Sequence, residues 1–355
     1  MGDISEINNI DDDNINKISA HSADNISKYM GHVFDGGSPA PGVWVAVGDA
    51  GHIATSATLT SGSAWTTYEA PIGATEEKRS VAYGVDPNGT NVWYVGHAFD
   101  QTNELMSASA PADGASAWTE VDPGNVSGIY GIAYSSYGGK SWIGVGFSGE
   151  VVRLSSGSWS NQDIGTDNIL SVATDANGTW VVNTSTSDRS WAIYKSVDDG
   201  ANWTSSRSQW IGAGVKNSRK HVAYGNGVWV VTFENQIWTA SDSDLTSNTW
   251  TQRHSGGDHF NDVQYGTAGK WMAIGNNRQT KYSSDNGTNW EAATNIVGSD
   301  EPTGLAYHNG SWVVVTDGTV DNIIVSTNDG TSWGEIASTG GSLNEIAVNS
   351  ALPNV

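Results

Sequence analysis

The sequence predicts an all-β fold, a seven-bladed β-propeller of four-stranded antiparallel blades with a short N-terminal arm. Three observations predict it. Tryptophan recurs in seven pairs, of which the first members are Trp44, Trp93, Trp142, Trp180, Trp229, Trp271 and Trp312, each opening an apolar run after a Gly-containing turn. The second members, Trp65, Trp118, Trp159, Trp203, Trp250, Trp290 and Trp333, each close a polar stretch rich in Ser, Asp and Gly. Successive first members lie 38 to 49 residues apart, the length of one propeller blade.

Residues 1–31 stand outside the repeat, and the propeller is expected to span 32–355. Ile4, Ile7, Ile10, Ile15, Ile18 and Ile26 are set among Asp, Asn and Ser. Such a segment cannot build its own core and needs a surface to bury against, so it reads as an arm that docks on a partner. The run Asp11-Asp12-Asp13 lacks the glycine and distal Glu of an EF-hand loop, and reads as an exposed acidic run.

The first tryptophan pair has no clear inner strand before it; Val33 to Pro39 fits poorly. Leu343 to Val348 repeats the inner-strand pattern with no partner strands after it. It is expected to insert beside residues 43–48 and close blade 1, removing sheet edges that invite aggregation. The later blades follow one order. Small apolar inner strands carry Val81-Ala82-Tyr83, Ile132-Ala133-Tyr134, Val172-Ala173-Thr174, Val222-Ala223-Tyr224, Val263-Gln264-Tyr265 and Leu305-Ala306-Tyr307. Hairpins are expected at Asn88-Gly89, Gly138-Gly139, Asn177-Gly178, Asn226-Gly227, Ala268-Gly269 and Asn309-Gly310, where Asn and Gly best tolerate positive φ.

Between the third and fourth strands lies a second motif, Ser-x-Asp-x-Gly-x-x-Trp. Ser196, Asp198, Gly200 and Trp203 fit it, as do Ser283, Asp285, Gly287 and Trp290; Ser326, Asn328, Gly330 and Trp333 fit with Asn for Asp. The motif resembles the Asp-box of sialidase-like and photosystem-assembly-factor-like propellers. The resemblance implies a structural turn, with Ser and Asp bonding backbone groups and Trp packing between blades.

The arm carries a second resemblance. Asn14-Ile15-Asn16-Lys17-Ile18-Ser19 and Asn25-Ile26-Ser27-Lys28-Tyr29-Met30-Gly31 resemble a tandem Asn-Ile-x-Lys-Ile/Val-x-Gly pattern near the ends of tailed-phage structural proteins of T4-like and marine or cyanophage type. This resemblance implies a virion location, assembled in the host cytoplasm, with other virion proteins as partners of the arm.

Charge and composition narrow the function. The net charge is −22, which repels nucleic acid and anionic membrane. Cysteine is absent, so neither disulfides nor thiolate metal sites form. No apolar run is long enough to span a bilayer, and the first residues match neither a secretory signal nor a myristoylation site. The seven arginines are not placed as a sialidase triad, and no hydrolase, metalloprotease or phosphate-loop motif occurs. No enzymatic activity, metal or cofactor is expected.

One loop face departs from the repeat. Loop 204–221 carries Arg207, Trp210, Lys216, Arg219, Lys220 and His221, and its neighbour carries Arg253, His254, His259 and Phe260. Basic and aromatic groups on an acidic disc suit a host-surface glycan, a receptor, a carboxylate or another subunit. The sequence therefore reads as a non-enzymatic virion structural protein, an exposed propeller tethered to capsid, neck or tail, with host-surface binding. The alternative is a carbohydrate-binding or adhesion propeller outside any virion.

Overall fold

A computed structural model describes residues 43–59, 65–71, 75–98, 104–124, 126–138, 141–185, 190–210, 221–320 and 322–349. The chain divides into Met1–Pro41 and Gly42–Val355. The first unit, with the six arm isoleucines, lies outside the described residues.

The second unit is a seven-bladed β-propeller of four-stranded antiparallel sheets. Blade 5 shows how sequence makes a blade. Its strands are Val222–Gly225, Val228–Phe233, Gln236–Ser241 and Thr251–Ser255. The second strand is apolar at nearly every position because both of its faces are covered: Trp229 and Val231 pack toward blade 4, while Val230 packs toward blade 6. Asn226 and Gly227 adopt φ of 48° and 75° and join strands one and two as a two-residue turn. A helix, Asp242–Thr246, with a Ser241 capping box leads into the outer strand.

Seven apolar clusters fill the seven spaces between neighbouring blades. Each holds both members of one tryptophan pair, such as Trp180 with Trp203 and Trp271 with Trp290. The strand-two tryptophans are all buried. Indole groups also reach across blades: Trp118 Nε1 donates to the Tyr68 hydroxyl at 3.0 Å, and Trp250 Nε1 to Ser206 Oγ at 3.0 Å. The tryptophan repeat is thus the set of joints between blades.

Blade 1 draws on both ends of the chain. Leu343–Val348 pairs antiparallel with Trp44–Gly48, with Trp44 opposite Val348 and Ala46 opposite Ile346. His52–Ser56 and Thr66–Glu69 complete the sheet. Polar side chains stitch each inner strand to the next around the seam. Asn261 Nδ2 donates to Pro302 O at 2.7 Å, Thr303 Oγ1 to Leu343 O at 2.8 Å, and Asn344 Nδ2 to Lys78 O at 3.2 Å. The last of these bonds joins the closing strand to blade 2.

The hairpins differ from expectation in length. Only Asn226-Gly227 and Asn309-Gly310, among the described turns joining strands one and two, are two-residue turns. Asn88-Gly89, Asn177-Gly178 and Ala268-Gly269 lie in five-residue loops closed by Asp86 N to Thr90 O, Asp175 N to Thr179 O and Gly266 N to Lys270 O. In the first two loops an aspartate accounts for the extra length: Asp86 Oδ1 accepts from Thr90 N, and Asp175 Oδ1 from Thr179 N. Gly139 lies outside the described residues.

Candidate functional site

The Ser-x-Asp-x-Gly-x-x-Trp motifs form turns. Ser196 Oγ accepts from Gly200 N at 2.9 Å and donates to Asp198 Oδ1 at 2.7 Å. Asp198 in turn accepts from Asn202 N and Nδ2. Ser283 and Asp285 repeat this with Gly287 and Asn289, and Ser326 and Asn328 with Gly330 and Ser332. Trp203 and Trp290 each donate to the motif glycine carbonyl, while Trp333 donates to Thr294 O of blade 6. The carboxylates therefore face their own turns. Hydrogen bonds from the Asn289 backbone and side chain hold Asp285 below the usual carboxylate range; burial alone would raise Asp198, but its bonds to Asn202 and Ser196 bring it below as well.

The expected basic loop is partly strand. Residues Thr204–Trp210 form the outer strand of blade 4, paired antiparallel along Ser190–Ser196. Arg207 stands opposite Ile193 and lies 4.3 Å from the ring centre of Trp238 and 5.7 Å from that of Trp191. Trp191 stacks on Phe233 at 4.0 Å. Arg207 thus packs in the joint between blades 4 and 5, and desolvation lowers its pKa. Trp210 closes its strand opposite Ser190, whereas Lys216, Arg219 and Lys220 lie outside the described residues.

The neighbouring positions are also engaged locally. Arg253 sits exposed on the outer strand of blade 5, its Nε donating to Thr239 Oγ1 at 2.9 Å. His254 Nε2 lies 3.0 Å from Gly256 O and meets Phe260 edge-on; burial lowers its pKa. His259 Nδ1 is 2.7 Å from Glu234 Oε2. Arg207 faces an inter-blade space and Arg253 an outer sheet edge, so the described residues of the set do not converge on one ligand.

Convergence occurs at the axis instead. The seven inner strands line a cavity of about 680 Å³. Toward the ends of these strands stand Tyr83, Tyr134, Tyr224, Tyr265 and Tyr307, each packed on the tryptophan across from it. A Cβ at Gly84 would sit 2.3 Å from Cγ of Tyr134 and one at Gly225 2.1 Å from Cγ of Tyr265, so a glycine near the end of the preceding inner strand lets these two rings lean on that blade. Tyr224 donates to Asp242 Oδ2 at 3.1 Å; burial, with the Asp242 charge, pushes its pKa up to about 12.

Where the inner strands begin, three residues from different blades meet: His221, Asp262 and Glu345. His221 Nδ1 lies 2.9 Å from Asp262 Oδ1, and His221 Nε2 lies 3.9 Å from Glu345 Oε2. Asp262 is fully buried and accepts from Val263 N at 2.6 Å and Leu305 N at 2.7 Å. Glu345 Oε1 accepts from Ile346 N at 2.9 Å, and Glu345 passes over Gly304, where a Cβ would lie 3.0 Å from Oε1. His221 ends the loop singled out in the sequence. Asp262 and Glu345 carried no sequence signal beyond falling at matching places in the inner-strand repeat.

Comparison with known proteins adds a likeness of fold. No family model matches the chain, and no curated protein matches it. Among solved structures, the crystal structure of the computationally designed Ika8 protein aligns with TM-score 0.56 and 12% identity over 85% of this chain and 86% of that one. YCF48 bound to D1 peptide aligns with TM-score 0.52 and 16% identity over 73% of this chain and 81% of that one. At these identities the likeness is one of fold.

Proposed function

We propose that this chain is a non-enzymatic structural protein of a tailed-phage virion. The propeller is its exposed head. Residues 1–31 tether that head to capsid, neck or tail through other virion proteins, and the head contacts the host surface. The observation that carries the reading is the tandem Asn-Ile-x-Lys pattern in the isoleucine-bearing segment that precedes the propeller in the sequence. The motif serines, aspartates and tryptophans are engaged in turns and blade joints, which suits a rigid display scaffold. A net charge of −22 favours dispersal over adhesion to nucleic acid.

Mass spectrometry of purified particles from candidate hosts tests this. The chain is expected in the virion, and a form lacking residues 1–31 is expected to be left out of it; absence of the full chain from every particle would sink the reading. A carbohydrate-binding or adhesion propeller outside any virion is the second reading, favoured by the tyrosine-lined axial cavity. Glycan-array binding without a particle partner would select it.

A further inference from the structure

The geometry at the inner end of the channel points to a binding site for one first-row divalent cation, of the Zn²⁺ or Co²⁺ type, held by His221 and Glu345 with Asp262 behind the histidine. Among the described residues, these three form the one group whose ligand atoms all lie within 4.8 Å of one another.

The roles follow from the contacts. Asp262 is buried and anchored by two backbone amides. Its Oδ1 takes the Nδ1 side of His221 at 2.9 Å. A carboxylate in this place fixes the imidazole tautomer and orientation and raises the basicity of the other nitrogen. Nε2 is then presented toward Glu345 Oε2, 3.9 Å away. That is too long for a hydrogen bond. It suits two ligands of one cation, since atoms each about 2.1 Å from a metal lie roughly 3–4 Å apart. Glu345 Oε1 is held by the Ile346 amide, which sets the direction of the second oxygen. The adjoining cavity of about 680 Å³ has room for waters to complete the coordination sphere. One nitrogen and one carboxylate oxygen select a borderline cation over Ca²⁺, which takes six to eight oxygens.

The site would act as a clamp. His221 precedes the inner strand of blade 5, Asp262 lies on that of blade 6, and Glu345 lies on the strand that closes blade 1. One cation would tie the closing strand to the far side of the ring. This role is independent of where the disc is displayed.

Titration of the full chain with Co²⁺, followed by visible absorption, and with Zn²⁺, followed by calorimetry and thermal melting, tests the proposal. The expected result is one equivalent bound per chain, with a melting temperature that rises with Zn²⁺ concentration. Glu345→Gln and His221→Gln are each expected to abolish the Co²⁺ spectrum and the Zn²⁺-dependent rise. Asp262→Asn is expected to weaken binding by ~10–100-fold. Should Asp262→Asn fail to fold, Glu345→Gln decides, because it changes a single oxygen beside the channel. Cation binding that persists unchanged in Glu345→Gln and His221→Gln, or a wild-type melting temperature indifferent to Zn²⁺, would overturn the site.

Discussion

Asp199, Asn286 and Asp329 occupy the variable position just after the Asp or Asn of each turn motif, and all three adopt positive φ, at 60°, 58° and 56°. Their side chains do more than turn the chain. Asp199 accepts from Trp180 Nε1 of its own blade and from Ser141 and Arg153 of blade 3. Asn286 accepts from Trp271 and donates to Asn226 O of blade 5, while Asp329 takes the ammonium of Lys270 in blade 6. Asp199→Ala is therefore expected to destabilise the fold by about 2–3 kcal/mol in denaturant unfolding, as a charged hydrogen-bond hub is lost. Asp199→Asn keeps tolerance of positive φ and one acceptor, and is expected to lose less. A second prediction concerns acid. The hydrogen bonds that lower Asp285 stabilise its charged form, so their contribution is complete above the ordinary carboxylate pKa of about 4 and is lost as pH falls through the depressed value. Asp285→Asn is expected to flatten the fall in melting temperature below about pH 4; an unaltered acid limb would contradict it. The motif's serine and first Asp were legible in the sequence because their partners lie within the same turn. The role of Asp199 was not, because its partners, Ser141 and Arg153, belong to another blade some 50 residues away in sequence.

The same distinction runs through the elements. Inner and second strands were legible because burial on both faces demands apolar runs, and the Leu343–Val348 pattern was legible as a strand lacking neighbours. Turn length was less so: Asn-Gly marks a bend, but Asp86 and Asp175 decide whether two residues or five make it. The stretch 204–210 read as loop because Ser, Arg and Gln dominate it; as an outer strand it has one face in solvent and needs few apolar residues. The closing strand gives the prediction at this scale. Deleting 341–355 removes Leu343 and Ile346 from the cluster between blades 7 and 1 and leaves Trp44–Gly48 without an inner partner. Cooperative thermal unfolding is expected to be lost, and a synthetic peptide of residues 341–355 is expected to restore it. Melting unchanged by the deletion would show that the ring does not depend on this strand.

For the molecule as a whole, the tryptophan repeat encodes joints, and the joints make a ring. The candidate site at the axis was hidden from the sequence because it joins residues of different blades: His221 and Asp262 meet between neighbouring blades 5 and 6, and Glu345 reaches them only on the strand that closes the ring. The closure also has a mechanical consequence. Asn349 N donates to Val43 O at 3.0 Å and Asn349 Oδ1 accepts from Val43 N, so the first and last described residues of the propeller meet at one rung, just beyond the Trp44–Val348 pair. A load applied between residues 43 and 349 pulls on that rung alone and then on the next, peeling the seam bond by bond instead of shearing several bonds together. In an optical-trap experiment blade 1 is expected to open first and at low force. A load carried on one end alone passes into the disc as a whole and leaves the seam shut.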